Sequence, residues 1–475
     1  MDTIQFARCS SHVSLLPDKH KATFKNILKH FCFSHEISNN TKVLDHNNIS
    51  EKKNIYFHRG MILISMLIQL LLINISKPLK KFQTLLEDFL NNGDSDKYMS
   101  FLGHSDIRLD LDKDIKLEDA RYYPALSIMA SKLAYENEAF IKSAVTNRWE
   151  MEFVGFYNFY NEFQHKSTTQ AFIFQQQNID NDMIIVTFRG TSMFVADDWS
   201  TDFDFSWIKI DGMGKAHMGF MIALGLTKFS NNEHDLLGDF NGCWPKEIQN
   251  NKEKPLAYYT IREKLKEMLA SNKNAKFIVT GHSLGAPLAI LFPSILALHG
   301  EKELLDRLEA VYTYGQPRVG DEEFGLFMKN CLRRHDIKYY RIVYGYDIVP
   351  KLPFDNTLMT FKHFGKSIHF NSLYHGKIVD EEKQSEYNIV LRIMKRVIVT
   401  LINFVVARLN AVWEVIRGLF IGYVKGPDYR EGWLLIFLRI TGILVPCFIN
   451  HFPQDYVNST RLMSQDLFVN YDAFT

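Results

Sequence analysis

Residues 276–285, Lys276-Phe277-Ile278-Val279-Thr280-Gly281-His282-Ser283-Leu284-Gly285, decide the fold, together with the run APLAILFPSILAL over 286–298 that follows them. KFIVT reads as a buried strand, and the run after Gly285 reads as a buried helix. A G-x-S-x-G pattern between a strand and a helix is a strained turn that lifts a serine hydroxyl clear of a sheet. Glycines stand at its two ends because side chains there would collide with neighbouring backbone. The helix start would place the Leu284 N–H near the serine, where it can stabilise a developing negative oxygen. Pro287 falls in the first helical turn, where a missing N–H costs little. The segment predicts a nucleophilic Ser283; the plainer alternative is an ordinary glycine-rich turn.

The surroundings fit a sheet of which this strand is one member. Met183–Phe188 (MIIVTF), Ala310–Tyr314 (AVYTY) and Tyr339–Tyr344 (YYRIVY) are further strand runs. Between two of them Ile261, Leu265, Met268 and Leu269 recur at helical spacing. Strands alternating with helices over about 120–350 predict a mostly parallel central sheet flanked by helices. The polar stretch Asn231–Lys246, with Gly238, Gly242 and Pro245, reads as a surface insertion.

An activated serine needs a base, and the base needs an orienting acid. In the order Ser, acid, His, the acid should follow a strand end. Asp347 does so, after YYRIVY and Gly345-Tyr346, while Asp321 and Asp355 are rivals. Downstream histidines are His363, His369, His375 and His451, and spacing alone does not choose among them.

The chain has 475 residues, 46% apolar and 23% charged, which suits one large α/β domain with an appendage and excludes a disordered or polytopic membrane chain. With 55 Lys and Arg against 54 Asp and Glu, the charge balance gives no electrostatic case for a nucleic-acid partner. Five scattered cysteines without a CxxC pair predict reduced thiols, and no signal-peptide pattern opens the sequence. Neither a histidine–cysteine cluster with zinc spacing nor a phosphate-cradling glycine loop is present, so no metal or organic cofactor is expected.

Two lipophilic zones stand outside the sheet region. Met61–Ser76 carries no charge over sixteen residues and is flanked by His58, Arg59, Lys77, Lys80 and Lys81. It falls short of the roughly 20 residues a spanning helix needs. It is expected to lie in or dip into a lipid face, the alternative being a core helix. The second zone, about 388–425, includes VIVTLINFVV at 397–406 and then Leu409, Val412, Trp413, Ile416 and Phe420; Trp433–Ile449 continues it. It reads as an insertion that covers the site or docks on lipid, or else as extra core helices. The expected division is an N-terminal region, 1–110, and a catalytic domain, 111–475.

Five motifs occur in one order: Phe188-Arg189-Gly190-Thr191, His217-Met218-Gly219-Phe220, Gly281–Gly285, Gly315-Gln316-Pro317-Arg318-Val319-Gly320 and Asp347-Ile348-Val349-Pro350. Together they resemble the class 3 lipases, fungal-lipase-like α/β-hydrolases. The stretches 196–204 (ADDWSTDFD), 361–365 (FKHFG), 409–414 (LNAVWE) and 455–459 (DYVNS) are similar to the plant oil-body triacylglycerol lipases, and this likeness extends over about 55–462. The resemblance implies Ser283 as nucleophile, Asp347 as acid and His451, in NHFPQDYVNS, as base; it sets His363 aside. It implies Thr191 and Leu284 as oxyanion donors. It also implies a lid from Ser192 to about Trp207, with Met193, Phe194, Val195, Trp199 and Phe203 as its apolar face. One departure is Tyr346, where a small polar residue such as Asn would be expected.

The implied activity is hydrolysis of storage triacylglycerol at the oil-body surface through an acyl-enzyme on Ser283. The implied partner is neutral lipid and the droplet or membrane surface, on its cytosolic face, with the endoplasmic reticulum as a further location. A phospholipase A1, galactolipase or diacylglycerol lipase would carry the same triad, and a non-catalytic scaffold is the reading from another class. Oligomeric state is left open.

Overall fold

The computed structural model describes residues 78, 81–91, 99–161, 166–177, 182–190, 207–226, 244–248, 253–353, 361–380 and 389–474, with the backbone alone over 389–403. Among these, ten strands are present: β1 (Glu152–Asn161), β2 (Lys166–Gln176), β3 (Met183–Phe188), β4 (Trp207–Ile210), β5 (Gly214–His217), β6 (Lys276–His282), β7 (Leu308–Tyr314), β8 (Lys338–Tyr344), β9 (Ser367–Phe370) and β10 (Gly376–Val379). The helices that matter below are α1 (81–90), α2 (Tyr122–Leu133), α3 (Ala257–Ser271), α4 (Gly285–Leu298), α5 (Glu322–Arg334), α6 (Ile389–Lys425), α7 (Trp433–Gly442), α8 (Pro446–Ile449) and α9 (Pro453–Leu462).

Eight strands form one sheet in the order β1-β2-β3-β6-β7-β8-β9-β10. The pairs β3–β6, β6–β7, β7–β8 and β8–β9 are parallel, and β1–β2, β2–β3 and β9–β10 are antiparallel. This is the α/β-hydrolase type of sheet, parallel at its centre with antiparallel margins. The central strands are near-continuous apolar runs because helices cover both faces. Helix α2 covers one face: Ser131 Oγ meets Thr280 Oγ1 at 3.1 Å and Tyr314 Oη donates to Pro124 O at 2.6 Å. Helix α4 covers the other, where Phe292 tilts against Phe188 at 6.3 Å between ring centroids. In register, Thr187 lies beside Thr280 and Phe188 beside Gly281, so the two contacts come from alternate residues of each strand. The expected helix around Ile261 is α3, with Ile261, Leu265 and Leu269 buried.

The margins were not announced by apolar runs. β1 and β2 are rich in Asn, Gln, Ser and Thr as well as aromatics, and their outer residues are exposed or half-buried. Most of the expected surface insertion (231–243 of Asn231–Lys246), the run 61–76 and the stretch 191–206 lie outside the described residues.

The second lipophilic zone is one helix, α6, rather than a pair of core helices. Its residues Ala407, Ala411, Glu414, Arg417 and Ile421 are buried, three or four apart. Phe404, Leu409, Val412, Trp413, Ile416 and Phe420 on the other side are exposed. Such a helix has a buried stripe without a polar outer face. Helices α7 and α8 then return the chain to the sheet, and α9 packs on α2 and β8. A small second core joins two distant parts of the chain: Phe101, Leu102 and Tyr135 meet Leu434, Leu435, Ile449 and Phe452, with Leu86 and Leu90 packed against them. Leu86, Leu90, Phe101 and Leu102, on the N-terminal side of the expected boundary, therefore share a core with α7 and α8. No helix among the described residues is long and apolar enough to cross a membrane.

Candidate active site

Ser283 sits between the end of β6 and the start of α4, at φ +58°. A non-glycine residue in this left-handed region stores strain of about 1–3 kcal/mol. The surrounding structure holds it there. Its N–H donates to Tyr314 O at 3.0 Å, and its carbonyl accepts from Ala286 N at 3.0 Å. A Cβ on Gly281 would collide with the Gly285 carbonyl, and one on Gly285 with the Phe188 carbonyl. The two glycines of the motif are thus required by backbone packed against backbone, as the sequence suggested. Leu284 caps α4, so its N–H lies among the donors that a helix start leaves without intrahelical partners.

Asp347 and His451 are 104 residues apart and hydrogen-bonded: His451 Nδ1 donates to Asp347 Oδ2 at 2.7 Å. The carboxylate can only accept, so Nδ1 carries the proton and Nε2 is left as the basic nitrogen. Nε2 is buried and has no hydrogen bond among the described residues. Asp347 Oδ1 accepts from Val349 N at 2.9 Å, and Asp347 N donates to Tyr344 O at 3.1 Å, so its loop folds back on the end of β8. The unexpected Tyr346 leaves the acid in place. Its backbone N–H donates to Asn450 Oδ1 at 2.8 Å, a contact that does not depend on its side chain.

The serine turn and the histidine are tied by the residue between Gly281 and Ser283. His282 stacks on His451 with ring centroids 4.7 Å apart, and its Nε2 donates to His451 O at 2.9 Å. Its Nδ1 accepts from Tyr135 Oη at 2.8 Å. Burial, and then the neighbouring His451, push His282 well below the usual histidine range, so it stays neutral. Gly315 backs the same ring. A Cβ there would lie 2.8 Å from His451 Cε1 and 3.0 Å from Asp347 Oδ2.

The rivals have other roles. Asp321 caps α5: its Oδ1 accepts from Phe324 N and from Lys215 N, each at 3.0 Å. His363 donates from Nε2 to Pro350 O at 2.6 Å. His369 lies in β9 and His375 in the turn before β10. Asp355, Thr191, Met193, Phe194, Val195, Trp199 and Phe203 lie outside the described residues. Gly190, just before Thr191, has no room for a Cβ, which would meet Tyr135 Oη and His282 O.

Four participants carried no signal of their own in the sequence. Tyr456 donates from Oη to Asp347 Oδ2 at 2.5 Å. Burial, then the charge of Asp347, raise this phenol well above its ordinary range, so it remains a donor. Tyr135 donates to Nδ1 of His282, whose tautomer the His451 carbonyl fixes from the other side. Asn450 and Glu414 form a second layer, described below. Tyr456 lies in the DYVNS stretch, where the motif was visible and the role was not.

Deeper still is a buried charge cluster. Arg439 pairs with Glu431 (2.6 and 2.8 Å) and with Asp455 (2.9 and 3.0 Å), and Arg417 pairs with Asp455 at 2.8 Å. Burial would raise Asp455, but Arg439 and Arg417 outweigh it and hold the carboxyl below the usual range. These pairs tie α6, α7 and α9 together behind the site.

A model of the family described as Lipase (class 3) matches residues 185–357. Three plant proteins, each named triacylglycerol lipase OBL1, are similar over far more of the chain than that segment. The one from Nicotiana tabacum is 38% identical, over 85% of this chain and 83% of its own length. The one from Arabidopsis thaliana is 37% identical, over 85% of each chain. The one from Ricinus communis is 40% identical, over 71% of this chain and 64% of its own.

Proposed function

The chain belongs to the class 3 lipases, and from that premise we propose that it is a triacylglycerol lipase that uses Ser283, Asp347 and His451 as an acyl-transfer triad at the surface of stored neutral lipid. The relatives' names supply the substrate class. The observation that carries the residue assignment is the Asp347–His451 hydrogen bond, tied to the Ser283 turn through His282.

In the proposed reaction, Ser283 Oγ attacks the ester carbonyl carbon while His451 Nε2 takes its proton. Asp347 accepts from Nδ1 throughout and stabilises the imidazolium. The tetrahedral oxyanion is held by the Leu284 N–H and by Thr191, the second donor. Collapse expels the diacylglycerol alkoxide, which takes the proton from His451. Water then attacks the acyl-serine by the same route and releases a fatty acid. Met193, Phe194, Trp199 and Phe203 act as the apolar face of a lid. The reaction needs no metal or organic cofactor.

The exposed apolar sides of α6 and α7, including Trp413, Phe420, Trp433 and Phe437, support docking on a droplet surface from the cytosolic side. The uncharged run 61–76 is assigned the same role, and the endoplasmic reticulum is a second membrane on which it would act.

Labelling with a water-soluble alkyl phosphonate ester tests the triad without an interface. One phosphonyl group should appear on the peptide that contains Ser283. It should be absent in Ser283→Ala and slowed on the order of 10³-fold or more in His451→Ala. Label on another residue, or equal rates in the His451 variant, would overturn the assignment.

A further inference from the structure

The buried side of α6 reaches the two loops that carry the candidate acid and base. Glu414, on α6, and Asn450, at the end of α8, are both fully buried, at 1% and 0% exposure. Asn450 Nδ2 donates to Glu414 Oε2 at 2.8 Å, and Asn450 Oδ1 accepts from Tyr346 N at 2.8 Å. Glu414 Oε1 accepts from Tyr344 Oη at 2.9 Å and from Asn410 Nδ2 at 3.0 Å. Arg439 Nη1 lies 3.6 Å from Glu414 Oε2. Asn450 directly precedes His451, and Tyr346 directly precedes Asp347.

The polarity of this chain of contacts is fixed. The Tyr346 N–H can only donate, so the amide oxygen of Asn450 faces it and the amide NH₂ must face the carboxylate. One side chain therefore links the backbone of the acid's loop to the residue before the base, and a carboxylate from the long helix holds that side chain in place. A buried group left without its partner is destabilising, and neither loop can shift without breaking one of these bonds.

We propose that Glu414 and Asn450 are positioning residues that set the Asp347–His451 geometry, so that α6, apolar toward solvent, orients the catalytic pair through its opposite side. The proposal rests on the triad reading above.

A polarity swap tests it. Asn450→Asp places a second carboxylate against Glu414, and Glu414→Gln places an amide against the Asn450 NH₂ or the Tyr344 hydroxyl. The double variant Glu414→Gln/Asn450→Asp restores every hydrogen bond of the Tyr346–Asn450–Glu414 chain with the charge moved across one of them, while the 3.6 Å Arg439 contact then faces an amide. Phosphonylation of Ser283, the pH profile of kcat/KM on a soluble short-chain ester, and Tm are measured for all four proteins. Asn450→Asp should lose about tenfold or more in kcat, with KM little changed and a displaced acidic limb. The double variant should return to within about threefold of wild type. Two outcomes overturn the proposal: kcat per folded molecule unchanged in both single variants while only Tm falls, or a double variant no better than Asn450→Asp. If a single variant does not fold, recovery of kcat and of the wild-type pH profile by the double variant remains the deciding result. Hydrolysis that survives Ser283→Ala would instead refute the triad reading, and so separates its failure from that of the positioning pair.

Discussion

Tyr456 Oη and His451 Nδ1 donate to the same oxygen of Asp347, Oδ2, at 2.5 and 2.7 Å. The acid is therefore not simply buried beside the base. Its negative charge is shared between an imidazole that must gain a proton during the reaction and a phenol that keeps its own. The two donors together fix the position of that oxygen.

Replacing Tyr456 by Phe keeps the ring contacts with His282 and Tyr314 and removes the hydroxyl, which donates to Asp347 and accepts a long 3.4 Å contact from Tyr344 N. Asp347 Oδ2 loses one of the two donors that hold it in place for His451, so kcat should fall. A lost hydrogen bond to a charged group is worth about 1.5–3 kcal/mol, which bounds the fall in kcat at roughly ten- to a hundredfold. Steady-state kinetics on a soluble ester check this; an unchanged kcat would leave Tyr456 with a packing role alone.

Gly315 stands at φ +59° behind the His451 ring. Gly315→Ala has to accommodate a Cβ that would otherwise sit 2.9 Å from His451 Nδ1 and 3.0 Å from Asp347 Oδ2, as well as a left-handed backbone that disfavours side chains. Displacing the ring by a fraction of an ångström should cost on the order of 10²-fold in kcat, with KM nearly constant. Circular dichroism and steady-state kinetics on the purified variant separate this from unfolding.

Arg439 is buried between Glu431 and Asp455. Arg439→Met should lower stability at neutral pH by about 3–5 kcal/mol, because two carboxylates lose their shared partner. The pH dependence has a definite sign. Asp455 is held below its unfolded value in the native protein, so its contribution is present above about pH 4 and is lost as pH falls through the native value. Glu414 works in the opposite sense. Burial and then Asp455 raise it, so its contribution is largest at low pH and is lost as pH rises. In Arg439→Met, Asp455 protonates more readily, and the deficit relative to wild type should shrink on acidification. Urea unfolding at pH 7 and pH 4 measures the two gaps; equal gaps would contradict the pairing.

The docking reading predicts a separation of binding from chemistry. Trp413→Ser, Phe420→Ser and Phe437→Ser together replace large exposed apolar groups on α6 and α7. The triple variant should float poorly with artificial triacylglycerol droplets while it hydrolyses a soluble short-chain ester at close to the wild-type rate. Equal flotation would place the lipid contact elsewhere on the chain.

Different parts of the molecule were legible for different reasons. The Gly281–Gly285 turn was readable because the motif is contiguous: Gly281 packs against the Gly285 carbonyl within five residues, and Gly285 in turn against the Phe188 carbonyl of the neighbouring strand, so only glycine fits at either end. The central strands were readable as apolar runs because both their faces are covered. The antiparallel margins were not, since half-covered strands mix Asn, Gln and aromatic residues without a clean period. The pairing of Asp347 with His451 spans 104 residues, and no local pattern selects His451 over His363; the family resemblance made that choice. Tyr456, Asn450 and Glu414 escaped because each looks like an ordinary residue of its helix, and its role exists only where α6, α8 and α9 meet the end of β8. The buried Glu414 and Arg417 broke the lipophilic period of α6, which could have marked its inner side.

The most direct measurement is fatty-acid release from emulsified triacylglycerol and from phospholipid vesicles, with wild type and Ser283→Ala side by side. The expected result is release from triacylglycerol well above that from phospholipid, lost in the variant by a factor on the order of 10⁴ or more. Release that survives in Ser283→Ala, or Ser283-dependent release confined to phospholipid, would contradict a serine triacylglycerol lipase.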